Sequence, residues 1–186
     1  MPTREAARRR AGGFTLVEIL IGSTLSAFIL AGILTVFLFL GRGGANVRNY
    51  SDMESQARKA LEVFAEDVRQ AGSITWTSST QFSIVVNAVS VTYQYDSGSG
   101  LFTRTASSVT RTLISGISPG TFTFRAFNVA GTELPLATSA NLTAASSSTK
   151  QLQISLEASR TNTTVVAATN AVLSARFILR NKIVTA

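Results

Sequence analysis

The 186-residue sequence contains no cysteine, no histidine and only three prolines. A domain exported from the cytoplasm without cysteine has to rely on core packing, because no disulfide bond can form within it. The same absences exclude thiol nucleophiles, zinc sites with Cys or His ligands, and catalytic triads in which an imidazole is the base. The composition therefore predicts a protein that is not an enzyme and that has neither a cofactor nor a metal site.

Acidic residues are also scarce, with 10 Asp and Glu against 17 Lys and Arg, for a formal net charge of +7. A positive balance can indicate nucleic acid or an anionic membrane as the partner. Four of the basic residues (Arg4, Arg8, Arg9 and Arg10) lie within the first 13 positions, and the others are scattered along the chain. This distribution argues against nucleic acid, which we keep only as the weaker alternative.

Charge is entirely missing from Ile19 to Leu40, a stretch of 22 residues. As a helix this stretch is roughly 33 Å long, enough to cross the hydrocarbon core of a bilayer. The arginines Arg8–Arg10 just before it should keep the N-terminus cytoplasmic and send the rest of the chain across the membrane. A cleaved secretory signal would have a shorter apolar region, followed by a cleavage site of small residues. Here the apolar stretch is longer and the small pair Ala31-Gly32 lies inside it, which argues against a cleaved secretory signal of the ordinary kind.

Glu18 is the feature that a plain single-pass anchor leaves unexplained, because a carboxylate at mid-membrane costs about 2.5–3.5 kcal/mol on insertion scales. Cleavage between Gly13 and Phe14 would supply a reason. It would create a positive α-amine at the start of a helix whose dipole disfavours positive charge there. Glu18, four residues later, could neutralise the amine of its own chain or that of a neighbouring subunit, and the spacing leaves both open.

Residues Gly13-Phe14-Thr15-Leu16-Val17-Glu18 closely resemble the cleavage and methylation motif of type IV prepilins and type II secretion pseudopilins, and the basic segment before them also matches. The resemblance implies removal of the leader after Gly13 by a prepilin peptidase, N-methylation of Phe14, and use of Glu18 in subunit docking. It implies two partners, the peptidase/methyltransferase and other pilins or pseudopilins. It also implies a single-pass protein of the inner (cytoplasmic) membrane with an extracytoplasmic C-terminal domain.

The sequence predicts four segments: a leader (1–13), a transmembrane and assembly helix (14–40), a hinge with an amphipathic helix (41–72) and a β-rich domain (73–186). In the third segment each glycine of Gly41-Arg42-Gly43-Gly44 costs roughly 1 kcal/mol in a helix, and the sequence leaves open whether the helix breaks there. Gly72 is a candidate C-cap. One apolar stripe at helical spacing is formed by Met53, Ala57, Ala60, Leu61, Phe64, Val68 and Ala71.

Beyond Gly72 the apolar residues recur every second position, which predicts antiparallel strands. We expect strands at 74–76, 82–86, 89–95, 101–104, 111–117, 121–127, 151–157 and 163–179. Asp96-Ser-Gly98-Ser-Gly100 predicts a hairpin turn and not a calcium loop, since one carboxylate cannot satisfy that ion. The small polar residues 137–149 predict a flexible surface loop. The fold class is α+β and pilin-like, with a long N-terminal helix packed on an antiparallel sheet.

The C-terminal segment Ala175-Arg176-Phe177-Ile178-Leu179-Arg180-Asn181 is similar to the end of PilW-like minor pilins and of J-type minor pseudopilins. This similarity implies a structural subunit, minor in kind, of a type IV pilus or a type II secretion pseudopilus. The alternative is a membrane-anchored adhesive or DNA-uptake pilin that acts through its β-domain. A stacking face for single-stranded DNA would then consist of Trp76, Tyr93 and Tyr95 with Arg104 and Arg111. The competing interpretation is that these aromatic residues form cross-strand pairs within the sheet.

Overall fold

A computed structural model of the chain describes residues 13–162 and 165–184, with the side chains at 45–46 and 160–171 left out of the description. Internal contacts divide the chain into two compact units, Met1–Gly44 and Ala45–Ala186. Most of the predicted leader, including Arg8–Arg10, lies outside the described residues.

Two helices and nine strands are found in the described part of the chain. In chain order they are α1 (Leu16–Gln70), β1 (Ser73–Ser78), β2 (Gln81–Val86), β3 (Val89–Asp96), β4 (Leu101–Ala106), β5 (Val109–Ile114), β6 (Thr123–Phe127), β7 (Glu133–Leu134), α2 (Ser139–Ser148), β8 (Gln151–Asn162) and β9 (Val165–Ile178). The long first helix followed by strands confirms the α+β class and the pilin-like architecture.

The strands form two antiparallel sheets. One is a five-stranded meander in the order β1-β2-β3-β4-β5, and the other has the order β7-β6-β8-β9. Strands β8 and β9 form a long hairpin whose register begins at Gln151 opposite Ile178. In β1, β2 and β3 the burial alternates along much of each strand, which turns every second side chain inward, as period-two patterning requires. The division into two sheets was not specified by the sequence analysis.

The apolar stripe of α1 packs into the core of the C-terminal unit, as its spacing predicts. Met53, Ala60, Phe64, Val68 and Ala71 are all buried. Except for Met53, they share one core with the inward side chains of both sheets. The opposite face of the helix is charged, and an i,i+4 pair there joins Arg58 to Glu54 at 2.8 Å.

The structure answers one open question about α1 and corrects one expectation. The helix continues through residues 41–44, so the three glycines there lower its propensity without ending it. Gly72 is not in the left-handed conformation of a C-cap. Its N–H donates instead to the carbonyl of Val85 in β2, and the chain continues from Gly72 into the first sheet. The end of α1 is capped from elsewhere, since the Asn181 amide donates to the carbonyl of Gln70 at 3.1 Å.

The prediction of a flexible loop at 137–149 was also wrong, because α2 occupies most of this segment. Thr138 is its N-cap and accepts from the N–H of Asn141. The helix packs on β1: the Ser146 hydroxyl accepts from the N–H of Trp76 at 2.8 Å, and the Trp76 indole donates to Thr149 at 3.2 Å. Helix formation here depends on tertiary contacts, because the sequence of α2 has no apolar stripe at helical spacing.

The segment after β9 holds α2 in place. The Lys182 ammonium donates to the carbonyls of Ser146 and Thr149 at 2.5 and 3.1 Å, so a cation lies at the negative end of the helix dipole. Burial, and then the nearby charge of Lys150, lower the pKa of Lys182 to about 8. Leu179 is fully buried in the core, which anchors the C-terminal segment there.

Candidate functional site

The predicted cleavage site lies directly before the first turn of α1. Gly13, Phe14 and Thr15 are not helical, and the helix begins at Leu16. The Thr15 hydroxyl accepts from the N–H of Glu18 at 3.2 Å. The Glu18 carboxylate in return accepts from the N–H and the hydroxyl of Thr15 at 2.9 and 3.0 Å. Thr15 and Glu18 therefore form a capping box, in which each side chain satisfies a free N–H of the helix start.

The capping box gives Glu18 a role that the sequence analysis missed. The signal was present as Thr15-Leu16-Val17-Glu18, a Thr-x-x-Glu pattern before an apolar run. With the bond between Gly13 and Phe14 intact, there is no α-amine at Phe14, and the carboxylate is occupied by Thr15. Capping and pairing with an α-amine can follow one another in time, because an amine formed by later cleavage at Phe14 would lie next to the same cap.

Gly13 is exposed and has open space around its α-carbon. A Cβ built on it meets no heavy atom within 4 Å, and its backbone is not left-handed. The fold of the described chain therefore sets no requirement for glycine at position 13. A requirement for a small residue at this position would come from a protein that acts on the chain, such as a peptidase.

From Phe14, just before α1, to Leu40 within it, the apolar side chains are exposed along the whole segment. Phe14 is 83% exposed and Phe28 is 80% exposed. Each such side chain gains about 1.5–3 kcal/mol on full removal from water, so a continuous surface of this kind needs lipid or other apolar helices around it. Of the helices in the described residues, α1 is the one long and apolar enough to cross a membrane.

Three of the four hydroxyl side chains between Ile19 and Leu40, all except Ser26, form hydrogen bonds within the helix. The hydroxyls of Ser23 and Thr24 donate to the carbonyl of Leu20 at 3.0 and 3.1 Å, and that of Thr35 donates to the carbonyl of Ala31 at 2.8 Å. Hydroxyl groups bonded to the preceding turn need no water, which suits a hydrocarbon environment. Glu18 is then the charged side chain of this segment, as the sequence showed.

The proposed stacking face for single-stranded DNA is wrong. Trp76, Tyr93 and Tyr95 are 5%, 0% and 6% exposed, so no base can stack on them. The competing interpretation is confirmed: Tyr93 lies opposite Phe82 in the register of β2 and β3, and the two rings stack 5.5 Å apart.

Asp67 is a buried carboxylate whose partners come from the first sheet. Its Oδ2 accepts from the Tyr93 hydroxyl and from Arg104 Nε, both at 2.6 Å. A second bond joins Arg104 Nη2 to its Oδ1 at 3.3 Å. Burial, and then the hydrogen bond to Asp67, raise the pKa of the Tyr93 hydroxyl well above its usual range. The network holds α1 against β3 and β4, so the role of Asp67 is structural.

Substitution of Tyr93 and Tyr95 by phenylalanine should have opposite effects. Tyr93→Phe leaves Asp67 with one partner fewer and should lower the free energy of unfolding by about 1–3 kcal/mol. The Tyr95 hydroxyl is buried, and no described residue bonds to it; Tyr95→Phe should be neutral or stabilising by up to about 1 kcal/mol. Urea unfolding of both variants measures this. Equal destabilisation would mean that the Asp67 bond contributes nothing specific.

The alkaline behaviour of the domain should depend on Tyr93. A raised pKa in the folded state gives stability that is present below the ordinary tyrosine pKa of about 10 and is lost as pH rises through the folded value. We therefore expect the unfolding free energy to fall above pH 10 with a contribution that Tyr93→Phe removes. Unfolding curves at several alkaline pH values, with absorbance at 295 nm to follow tyrosine ionisation, check this.

The turn between β3 and β4 is the predicted hairpin. Asp96 accepts from the N–H of Gly98 at 3.0 Å and from the hydroxyl of Ser99 at 2.6 Å, so its carboxylate closes the turn. Gly100 is left-handed, with φ of 64°. In the described part of the chain no three His, Cys, Asp or Glu side chains are grouped as metal ligands would be.

Comparison with known families places one match on the N-terminal segment. Residues 8–34 match the family described as "Prokaryotic N-terminal methylation motif". The match includes Gly13, Phe14 and Glu18 and establishes a prepilin-like N-terminus of the type IV kind. Together with the exposed apolar helix, it is consistent with anchoring in the inner membrane. A comparison with curated proteins gave no match.

Proposed function

We propose that this chain is a structural subunit of a type IV pilus or a type II secretion pseudopilus. The observation that carries the proposal is the methylation motif at residues 8–34. Within this proposal cleavage follows Gly13, an exposed residue at which an added Cβ would meet no heavy atom within 4 Å, shortly before the exposed apolar helix that begins at Leu16. A peptidase can reach such a site without unfolding the helix.

The proposed sequence of events begins with insertion, the N-terminus remaining cytoplasmic and the C-terminal unit extracytoplasmic. A prepilin peptidase then removes residues 1–13, and Phe14 is N-methylated. The apolar side chains of α1 first contact lipid and later the α1 helices of other subunits, which remove them from lipid without exposing them to water. Glu18 pairs with the Phe14 amine of a neighbouring subunit when the chain is incorporated.

We propose a minor subunit that does not act as an enzyme. Support for a minor role comes from the similarity of residues 175–181 to PilW-like minor pilins and J-type pseudopilins, and from a domain that folds without disulfide bonds. The long paired strands β8 and β9 and the shared core provide a rigid body to be carried by the helix. The DNA-uptake alternative is disfavoured, because the aromatic residues proposed to stack on bases are buried.

Processing is the experiment that tests this function first. The mature chain should begin at Phe14 and carry one methyl group on its α-amine, which the intact mass of the membrane-extracted protein shows directly. Gly13→Leu should block cleavage while membrane insertion remains. Gly32→Leu is the matched control, since Gly32 also has open space around it and lies outside the cleavage site. A chain that retains residues 1–13, or that is cut beyond Leu40, would contradict the proposal.

A further inference from the structure

The C-terminal unit has a groove between α1 and the edge of the first sheet. Its volume is about 340 Å³, and its charged lining residues are all cations: Lys59 from α1, Arg104 from β4 and Arg111 from β5. No carboxylate is among the residues that line it. The groove is separate from the N-terminal site and lies wholly within residues 45–186.

The arrangement of these cations is unfavourable in the isolated chain. Arg104 and Arg111 lie directly opposite each other on neighbouring strands, where like charges are destabilising. Asp67 compensates only Arg104. Neither Lys59 nor Arg111 has a described carboxylate within 4.0 Å. An anionic group in the groove would lie near three positive side chains and would offset their repulsion.

Strand β5 adds a second recognition element beside the groove. It is an edge strand that pairs only with β4 among the described residues. The two-residue turn at Ser107-Ser108 has positive φ at both positions, the type I′ geometry. In such a hairpin hydrogen-bonded pairs alternate with non-bonded pairs, which turns the N–H groups of Thr110 and Thr112 toward the open edge. An extended chain could bond to them as a sixth strand.

We propose that this edge and groove bind an extended acidic peptide segment of a partner protein. The peptide backbone pairs with β5, and alternate Asp or Glu side chains enter the groove toward Lys59 and Arg111. A peptide fits better than nucleic acid, because the aromatic rings of this sheet are buried and give bases no surface on which to stack. The inference adds a partner to the β-domain and does not depend on filament assembly.

The test uses the full chain in detergent micelles and a fluorescein-labelled decapeptide of alternating Glu and Thr. Fluorescence anisotropy should show saturable binding, and a Gln-Thr decapeptide should bind at least tenfold more weakly. Lys59→Gln with Arg111→Gln should also weaken binding at least tenfold. The matched control, Arg69→Gln with Arg180→Gln, removes the same charge at exposed positions outside the groove and should retain binding within about twofold.

The strand geometry has its own pair of variants. Thr110→Pro removes one edge N–H and should weaken peptide binding, whereas Thr110→Ala keeps the N–H and should not. Circular dichroism of both variants verifies that the sheet is intact. The proposal is overturned if the Glu-Thr peptide does not bind, or if the control double variant loses as much affinity as the groove variant. It is also overturned if a ten-nucleotide oligothymidine binds more tightly through the same residues.

Discussion

Phe64→Ala should lower the free energy of unfolding of the C-terminal unit by about 3–5 kcal/mol, the cost of removing a fully buried aromatic ring. Phe64 has no solvent exposure. Its ring contacts Tyr93 of the first sheet at 5.0 Å between centroids and Phe177 of the second at 5.6 Å. It is also parallel to Phe124, 6.4 Å away. Removing one ring therefore loosens α1 from both sheets at once.

This prediction includes a broader one, that residues from about 45 onward fold without the apolar segment. The stripe of α1 is covered within that unit, so the truncated chain should unfold in one cooperative transition. Urea unfolding of the truncated chain and of its Phe64→Ala variant provides both measurements. Val129→Ala is the control, because Val129 is 50% exposed and its loss should cost less than about 0.5 kcal/mol. A truncated chain without a cooperative transition would contradict the expectation.

The sequence was informative wherever one face of an element is buried. The stripe from Met53 to Ala71 and the alternation in β8, where Leu152, Ile154 and Leu156 are buried, are both direct consequences of a single apolar side. Such a pattern fixes the type of element and the face that turns inward. It says nothing about which distant strand lies next to it, so the two-sheet arrangement did not follow from it.

The features that the sequence did not predict correctly depend on contacts with distant parts of the chain. Helix α2 is built from Ser, Thr, Ala, one Asn and one Leu, and it is held by a hydrogen bond from Trp76, 70 positions before Ser146 in the chain. The cap of α1 comes from Asn181, 111 positions later. Contacts of this range have no local signature. Gly72 is a different case, because a glycine after a helix is compatible with several backbone conformations and the following strand determined the one adopted.

At the N-terminal site the sequence identified Gly13, Phe14 and Glu18 as the residues to examine, and the family match includes all three. Their roles in cleavage, methylation and docking remain predictions. The structure adds Thr15 to the site through the capping box. This addition matters because it supplies a second explanation of Glu18: a carboxylate that only caps its own helix would need no neighbouring subunit. An experiment on Glu18 has to separate the two explanations.

Glu18→Ala should insert into the membrane at least as well as the wild type and should be cleaved normally, yet it should be almost absent from filaments. A carboxylate in an apolar environment costs free energy in the isolated subunit, and a positive partner offsets that cost. We expect the partner to be the Phe14 amine of an adjacent subunit. Glu18→Asp should be intermediate, because its shorter side chain has to reach the same amine. Crosslinking and co-purification with other pilins in cells measure incorporation.

Thr15→Ala separates docking from capping. It removes the hydroxyl that completes the capping box while leaving the Glu18 carboxylate in place, and it should cost the helix start about 1 kcal/mol. If Glu18 serves docking, Thr15→Ala enters the assembly at close to wild-type levels and Glu18→Ala does not. If the two variants are incorporated equally, whether both enter or both fail, the intersubunit role is wrong and Glu18 is a cap for its own helix.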